Sequence, residues 1–457
     1  MPGRAGLPGT RPRPRDAPGY TRSMLDWDID AIRSRFPSLA RPGPDGQPVA
    51  WLDGPAGTQV VDACLRAAND YQLRSNANHG GVFAASVETD ELVHDVRRAM
   101  ADFLGAHDAD EVSFGANMTT ITFAVSRAIG ASLQAGDEIV VTRLDHDANV
   151  APWLAVAEER GLVVRWVGIR EEDCSLDLSD LEQVLGPRTR LVAVGLASNA
   201  VGTVNPVPTI SKMVHAAGAQ LWVDAVHAAP HLSIDVHALG ADYLVCSAYK
   251  FYGPHLGILW GRRELLEALP HYHVRPAGEA IPGRFETGTQ AHELLAGLGG
   301  TIAYLERVGV ELGGGPASPG SPASPGSPGS ADRLRRARLR AAMSAVRRYE
   351  SGLVRLLIER VSAVPGSRVR GITDSARVAE RCPTIAFTIE GHQPRDIARY
   401  LGDRGIHTWD GDYYAWELIR ALGLAERGGM VRVGLVHYNT EQEVERLGRA
   451  LDELVGA

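Results

Sequence analysis

Short apolar runs bounded by turn residues alternate with helix-like segments through much of the chain. The segments PWLAVAEERG and VPTISKMVHAAG have the spacing of amphipathic helices and lie between such runs. Runs of strand length that alternate with helices indicate a sheet covered by helices on both faces. We therefore predict an α/β fold with a large, doubly wound mixed-sheet domain. The runs that predict its strands are DEIVVTRL, LVVRWVGI, RLVAVGLAS, QLWVDAV and DYLVCSA.

A low-complexity stretch, GGGPASPGSPASPGSPGS, occupies residues 313–330 and separates two regions of different pattern. It cannot bury apolar surface, so we predict a flexible linker. A long helical pattern at 332–364 follows it, and then come strand-like TIAFTIEG, helix-like PRDIARYLGDRG and strand-like MVRVGLVHY. We therefore expect a large domain over 25–312 and a smaller C-terminal α+β domain over 331–457.

Composition and charge narrow the classes of function. The 457 residues are 44% hydrophobic and 22% charged, which is typical of a globular enzyme. A net charge of −8 disfavours nucleic-acid binding. No apolar run approaches the roughly 20 residues that a membrane-spanning helix needs. Residues 1–24 are rich in Pro, Gly and Arg and lack the apolar core of a signal peptide, so we expect a disordered tail, with Met24 as an alternative start.

The cysteines and histidines indicate neither a disulfide framework nor a metal site. Four cysteines lie far apart and form no CxxC pair, so we expect reduced thiols and a cytoplasmic location. The close pair His271 and His273 lacks the common zinc spacings, so we expect a surface loop there and no metal.

Polar residues follow four of the predicted strands, at the point where each strand ends. His146 follows IVVTRL, Asn199 follows LVAVGLAS, and Lys250 follows YLVCSA. Asp224 ends the run LWV, with His227 three residues later. Each of these residues taken singly also fits a turn or a helix cap. Because the carboxyl ends of strands in an open α/β sheet meet at one edge, we expect them to converge.

One cofactor chemistry uses all of these groups. Pyridoxal phosphate requires a lysine for its Schiff base and a carboxylate to pair with its pyridine nitrogen. A lysine in a desolvated pocket has a lowered pKa, which makes its amine a nucleophile. The phosphate favours a helix N-terminus, and FGANMTTITFAVSRAIGASL provides one that begins at Asn117 and Met118. The sequence therefore predicts a pyridoxal-phosphate site.

These motifs, in this order, resemble the fold-type I pyridoxal-phosphate enzymes, specifically the class V aminotransferase and cysteine desulfurase group. The resemblance extends from WLDGPAGTQ at 51–59 to VRVGLVHYN at 431–439. It implies a fold-type I transferase fold, a small amino-acid substrate, and an obligate homodimer with a shared active site.

The resemblance also assigns roles around the cofactor ring. SAYKFYGP is similar to the lysine loop of the family, which makes Lys250 the Schiff-base residue. Asp224 in VDAVHAAP corresponds to the residue on the pyridine nitrogen, and His146 in LDHDANVAPW to the histidine that stacks on the ring. His227 and Asn199 stand where side chains reach the phenolic oxygen.

The resemblance also implies which residues bind the phosphate of the cofactor. They are Asn117 and Met118 at the helix start, together with Ser247. FETGTQ resembles the segment through which the neighbouring subunit contacts the phosphate, with Gly288 and Thr289.

Arg432 in VRVGLVHYN matches the arginine that pairs with a substrate carboxylate.

Two departures from the family pattern are present. Tyr249 replaces the histidine usual before the lysine in desulfurases, which alters a phosphate contact. The loop GIHTWDGDYYAWEL carries Asp412, Tyr413 and Tyr414 where desulfurases carry a nucleophilic cysteine. The two tyrosines either close over a substrate, with Tyr414 as a binding residue, or only fill the domain interface.

We therefore expect an enzyme that cleaves a C–S or other β-bond of an amino acid without the usual loop cysteine. A true cysteine desulfurase and an aminotransferase on the same scaffold are the alternatives. A non-catalytic protein that keeps this fold for binding is a remote one, because such a protein is expected to lose Lys250, Asp224 or Arg432, and all three are present.

Overall fold

The computed structural model describes residues 27–44, 46–315 and 330–456. The predicted tail at 1–24 and residues 316–329 of the predicted linker lie outside the described residues. In chain order, the α-helices of the described part are α1 (Ile29–Arg33), α2 (Asp62–Arg74), α3 (Ala84–Leu104), α4 (Met118–Ala131), α5 (Ala151–Arg160), α6 (Leu178–Val184), α7 (Val207–Ala216), α8 (Val236–Leu239), α9 (Arg263–Ala268), α10 (His292–Glu311), α11 (Ser330–Ser362), α12 (Pro394–Gly402), α13 (Trp416–Ala421) and α14 (Glu441–Gly456). The strands are β1 (Ala50–Trp51), β2 (Val112–Gly115), β3 (Glu138–Thr142), β4 (Val163–Val167), β5 (Ile169–Arg170), β6 (Ser175–Leu176), β7 (Thr189–Gly195), β8 (Gln220–Asp224), β9 (Tyr243–Ser247), β10 (Gly257–Gly261), β11 (Ser367–Arg370), β12 (Thr384–Ile389), β13 (Ile406–His407), β14 (Trp409–Gly411) and β15 (Met430–Gly434).

The central sheet has seven strands in the order β2-β10-β9-β8-β7-β3-β4. Strand β10 runs antiparallel to both of its neighbours, and the strands from β9 to β4 are parallel to one another. Successive residues of β8 enter two separate cores, because Trp222 packs against Trp153 of α5 while Leu221 and Val223 join the core that contains α7. Burial on both faces explains the continuous apolar runs in the sequence. The predicted doubly wound α/β fold is confirmed.

A second, antiparallel sheet forms in the C-terminal part with the order β11-β12-β15-β14. Helix α11 packs against β11 and α14, and α12 packs against β14, β15 and α14. The long helix and the strands β12 and β15 lie where the sequence predicts them. The N-terminal segment contacts this part through β1, which pairs in parallel with β13, Ala50 opposite Ile406. The domain boundaries themselves stay a prediction.

The loop after β7 is joined to the segment before β12 by main-chain hydrogen bonds. Cys382 N donates to Gly202 O at 2.7 Å, and Val204 N donates to Glu380 O at 2.8 Å. Gly202 has a φ of +79°, and a Cβ there would lie 2.5 Å from Thr384 O, so only glycine permits this approach.

Arg381 reinforces this junction from inside. Its side chain is 1% exposed, and its guanidinium donates to Val201 O at 3.2 Å, Thr384 O at 2.5 Å and Ile372 O. Three carbonyls from separate segments are therefore satisfied by one planar group, which has five N–H donors in a fixed fork.

We expect Arg381→Lys to destabilise the protein. A lysine ammonium presents its donors from a single atom, so it leaves buried carbonyls unpaired, at a loss of about 2–4 kcal/mol in the free energy of unfolding. The midpoint of urea denaturation, followed by far-UV circular dichroism, measures this loss. Arg395→Lys, at an exposed position of α12, is the matched control and should change the free energy by less than about 0.5 kcal/mol. Equal midpoints for the two variants would contradict the assignment.

Candidate active site

Five strands of the central sheet end at one edge, and the residues that follow them surround a cavity of about 330 Å³. The structure therefore brings together most of the residues singled out in the sequence, although their roles stay predictions. Arg432, Tyr414, Gly288 and Thr289 do not line this cavity. The predicted residues that do line it are Asn117, Met118, His146, Asn199, Asp224, His227, Ser247, Tyr249 and Lys250.

Lys250 ends a short 3₁₀ turn directly after β9. Its Nζ donates to Ala56 O at 3.0 Å and to Pro55 O. Burial, and to a smaller extent the charge of Arg432, lowers the pKa of the amine to about 7, although Asp224 and Asp53 oppose the shift. Because an ordinary lysine has a pKa above 10, Lys250 is unusual in offering a neutral amine at physiological pH.

Asp224, at the end of β8, faces a second buried carboxyl group that the sequence analysis missed. Asp224 accepts a hydrogen bond from Val226 N at 2.8 Å, and burial raises its pKa to about 6. Asp145 accepts from Gly195 N at 2.7 Å and from Asn149 Nδ2 at 3.3 Å. Burial, with a contribution from the Asp224 charge, raises the pKa of Asp145 to about 7. Its place directly before a candidate histidine was the only signal available in the sequence.

His146 is a neutral imidazole of defined tautomer. Burial lowers its pKa to about 3, and the charges of Lys250 and Arg432 contribute. Ala148 N donates to Nδ1 at 3.0 Å, so the proton of the neutral ring resides on Nε2. The ring of Tyr414 stacks on it, with centroids 5.3 Å apart and planes inclined by 24°.

Among the residues that line the cavity, two carry buried polar atoms with no partner among the described residues. His227 Nε2 is one, and burial lowers the pKa of this imidazole well below its usual value. Asn199 Oδ1 is the other, while its Nδ2 donates to Tyr413 O at 2.9 Å. Because buried polar groups are normally hydrogen-bonded, unpaired atoms beside a cavity indicate a polar ligand.

The N-terminus of α4 closes one end of the cavity. Asn117 caps the helix, with its Oδ1 accepting from Thr120 N at 2.9 Å, and Met118 N donates to Ser247 Oγ at 3.0 Å. A Cβ at position 257 would lie 2.4 Å from the main chain of Asn117, so Gly257 allows β10 to approach the helix start. A helix N-terminus of this kind attracts an anion.

These groups fit pyridoxal phosphate. Lys250 offers an amine for the aldehyde, Asp224 a carboxylate for the pyridine nitrogen, and His227 an unpaired ring nitrogen for a polar substituent. The start of α4 with Ser247 would hold the phosphate. The chemistry of the donor set and the unpaired atoms thus agree on one cofactor.

Arg432 lies behind Asn199 rather than on the cavity wall. Its Nη1 donates to Asn199 O at 3.0 Å, its guanidinium carbon is 4.5 Å from the centroid of the Tyr413 ring, and Nε has no partner among the described residues. Burial lowers its pKa to about 10. Asp53, which the sequence analysis also missed, is buried nearby with an unpaired Oδ1, and burial raises its pKa to about 6.

Gly288 and Thr289 are exposed and do not line the site cavity. Thr289 lines a second, largely apolar cavity of about 480 Å³. The loop before them is fixed by Glu286, which accepts from Arg97 with both oxygens, at 2.6 and 3.0 Å, and from Phe114 N at 2.8 Å.

No cysteine lines the site cavity, and all four thiols are free and buried. Cys246 lies within β9 and Cys382 lies just before β12. Across residues 27–44, 46–315 and 330–456, no group of three or more His, Cys, Asp or Glu could hold a metal ion. In the same part of the chain, no helix is both long and apolar enough to span a bilayer.

Comparison with known proteins identifies the family. The family described as aminotransferase class-V matches residues 50–312 and 319–447. A cysteine desulfurase of Serratia proteamaculans (strain 568) is 32% identical, over 94% of this chain and 99% of that protein. A probable cysteine desulfurase of Mycolicibacterium paratuberculosis is 31% identical over 93% of this chain. That relative is longer, and the match spans 58% of its length.

The fold also has solved relatives. An apo structure of a cysteine desulfurase from Thermococcus onnurineus NA1 is similar with a TM-score of 0.78 at 26% identity, covering 92% of this chain and 98% of that chain. The predicted fold-type I architecture, with its mixed and mostly parallel central sheet, is thus confirmed. The chain belongs to the class-V aminotransferase family and is a pyridoxal-phosphate-dependent enzyme.

Proposed function

We propose that this enzyme cleaves the bond between Cβ and sulfur, or another β-substituent, of a small L-amino acid, and that it does so without a protein thiol. One observation carries the proposal. The loop in which desulfurases are expected to carry a cysteine has Tyr413 and Tyr414 instead, and Tyr413 O and Tyr414 O both accept hydrogen bonds from residues beside the cavity, Asn199 and Asp147.

The amine and the carboxylate carry the proton chemistry. Pyridoxal phosphate, when bound, supplies the electron sink that stabilises a carbanion at the amino-acid Cα. Lys250, with its pKa lowered to about 7 by burial, accepts the Cα proton as a neutral amine. Asp224 would hold a proton on the pyridine nitrogen. Asn117, Met118 and Ser247 would bind the phosphate, and Tyr249 would contact it from beside the lysine.

The remaining predicted residues orient the reactants. His146 would cover the cofactor ring, and His227 and Asn199 would hydrogen-bond its phenolic oxygen. Arg432 lies behind Asn199 and not on the cavity wall, so its unpaired Nε would pair with the substrate carboxylate only where the substrate extends past Asn199. The Cα–H and Cβ–S bonds break, the proton passes to Lys250, and the electron pair of the Cβ–S bond leaves with the thiolate. Water then converts the released enamine to pyruvate and ammonia.

A cysteine desulfurase is the second candidate, and the names of the relatives favour it. Desulfuration transfers sulfur to a thiol acceptor. With no cysteine lining the cavity, that acceptor would have to be an external thiol. An aminotransferase is the third candidate, since the same proton transfers serve it.

We further propose a homodimer with shared active sites and a cytoplasmic location. The four free thiols support the location. Gly288 and Thr289 are exposed on a firmly held loop, as expected of residues that serve a second copy. Exposed apolar side chains support such an interface, since Leu73 is 74%, Phe83 60% and Val82 fully exposed.

The product assay decides among the reactions. The purified holoenzyme is incubated with L-cysteine, L-alanine and S-substituted cysteines, and pyruvate, alanine, sulfide and released thiol are measured. We expect pyruvate and thiol in equal amounts without an added acceptor, and none from Lys250→Ala. Alanine with sulfide from cysteine would instead establish desulfuration. A keto acid that retains its side chain, formed only with an amino acceptor, would establish transamination.

The state of Lys250 is tested by the rate at which the apo-protein captures added pyridoxal phosphate covalently. Only the neutral amine reacts, so with a pKa of about 7 the rate should rise about tenfold per pH unit below pH 7 and level off above it. The visible absorbance of the bound cofactor follows the reaction, and Lys250→Ala is the blank. A rate that keeps rising to pH 10, as for an ordinary lysine, would contradict the lowered pKa.

Shared active sites are tested by co-expressing two inactive variants. Lys250→Ala removes the amine, and Thr289→Glu places a like charge near the phosphate bound by the partner subunit. Random pairing makes half of the dimers mixed, each with one intact site of two, so about a quarter of wild-type activity should return. Variants that stay inactive together, although they form dimers by analytical ultracentrifugation, would show that each site is built from one chain.

A further inference from the structure

The loop at Asp412–Tyr414 is held in an unfavourable backbone conformation. Tyr413 and Tyr414 are consecutive non-glycine residues with φ values of +53° and +59°. Side chains with a Cβ disfavour this left-handed region, so the surroundings must enforce it. Asp412 Oδ1 accepts from Tyr414 N at 2.9 Å.

Two hydrogen bonds from the cavity wall fix the same loop. Asn199 Nδ2 donates to Tyr413 O at 2.9 Å, and Asp147 N donates to Tyr414 O at 2.7 Å. Both donors belong to segments that follow strands of the central sheet. The loop from the C-terminal part is therefore attached to the cavity on both sides of His146.

The position of the Tyr414 ring is not explained by burial, because the residue is 70% exposed. The ring nevertheless stacks on His146 at 5.3 Å. His146 lines the cavity and Tyr414 does not. The tyrosine therefore covers the part of the imidazole that is turned away from the cavity.

We propose that Tyr414 is a positioning residue that acts through His146. A hydrogen bond from Ala148 N to Nδ1 fixes one atom of the imidazole but leaves its plane free to tilt. An offset aromatic stack on the outer side restricts that tilt. The stack thus holds the inner side of His146 against the bound ring, and it needs the Tyr414 ring but not its hydroxyl.

This inference rests on the proposed function and deepens it. A loop that is bonded to Asn199 and Asp147 and stacked on His146 forms an outer wall of the site. It does not deliver a nucleophile to the leaving group. The departing sulfur is therefore released as a free thiol, and the favoured substrates are amino acids whose β-substituent is stable once released.

Tyr414→Ala, Tyr414→Phe and Tyr414→Trp, prepared as holoenzymes, test the proposal. The first readout is the visible circular dichroism of the bound cofactor, which reports how the ring is held and needs no turnover. The second is kcat/KM for pyruvate formation. Tyr272→Ala, in the loop after α9 and 90% exposed, is the matched control and should equal the wild type in both.

We expect Tyr414→Ala to reduce the visible circular dichroism and to lower kcat/KM by about tenfold, mostly through kcat. Phe and Trp keep a stacking ring and should retain the circular dichroism. Unchanged circular dichroism in Tyr414→Ala would overturn the proposal. Tyr414→Phe as impaired as Tyr414→Ala would also overturn it, because the hydroxyl and not the ring would then be the active group. A third outcome separates the two proposals. If neither the wild type nor any variant forms pyruvate, the proposed function fails. If the circular dichroism still follows the expected order in that case, the positioning role of Tyr414 stands.

Discussion

An ammonium group loses most of its hydration when it is placed at the end of a buried strand, and the site is arranged around the Lys250 amine in that position. Its Nζ donates hydrogen bonds to the neutral carbonyl oxygens of Pro55 and Ala56. The segment that supplies them also forms a parallel bridge from Asp53 to Gly434. The amine therefore links the central sheet, the N-terminal segment and the C-terminal sheet at one point. Because burial still disfavours the charged form, the pKa falls to about 7 and the amine becomes reactive.

Burial raises the pKa of the carboxyl groups of the site, whereas it lowers the pKa of the lysine. These shifts determine which groups carry protons. Burial raises the pKa of both Asp145 and Asp224, and the charge of Asp224 raises that of Asp145 further. Asp224 lies near Lys250 and accepts from Val226 N, whereas the Asp224 charge itself raises the pKa of Asp145. Of the two carboxyl groups, Asp145 is therefore the one that is protonated more readily. Asp224 is left as the anion, which is the form that a pyridine nitrogen requires to keep its own proton.

Sequence patterns predict the sheet and its strand ends because both follow from local periodicity. Lys250, Asp224 and Asn199 come directly after apolar runs, so their convergence follows from the topology of a parallel sheet. The buried acids are different. Asp145 lies in a bend after β3 and Asp53 in an isolated bridge, and polar residues in such irregular segments are normally solvated. Only packing between distant segments buries them, and no local pattern records such packing.

The thiols show why cleavage without a protein nucleophile is consistent with the whole fold. A reactive cysteine needs exposure and a lowered pKa. Cys246 has neither, because it lies in β9 with both faces of the sheet covered, and burial raises the pKa of its thiol. Burial likewise raises the pKa of the Cys382 thiol at the junction fixed by Arg381. Moving either thiol to the cavity would require breaking the sheet or the junction, so neither can serve as a sulfur carrier. In the reaction that we propose, the chemistry therefore ends when the leaving group departs.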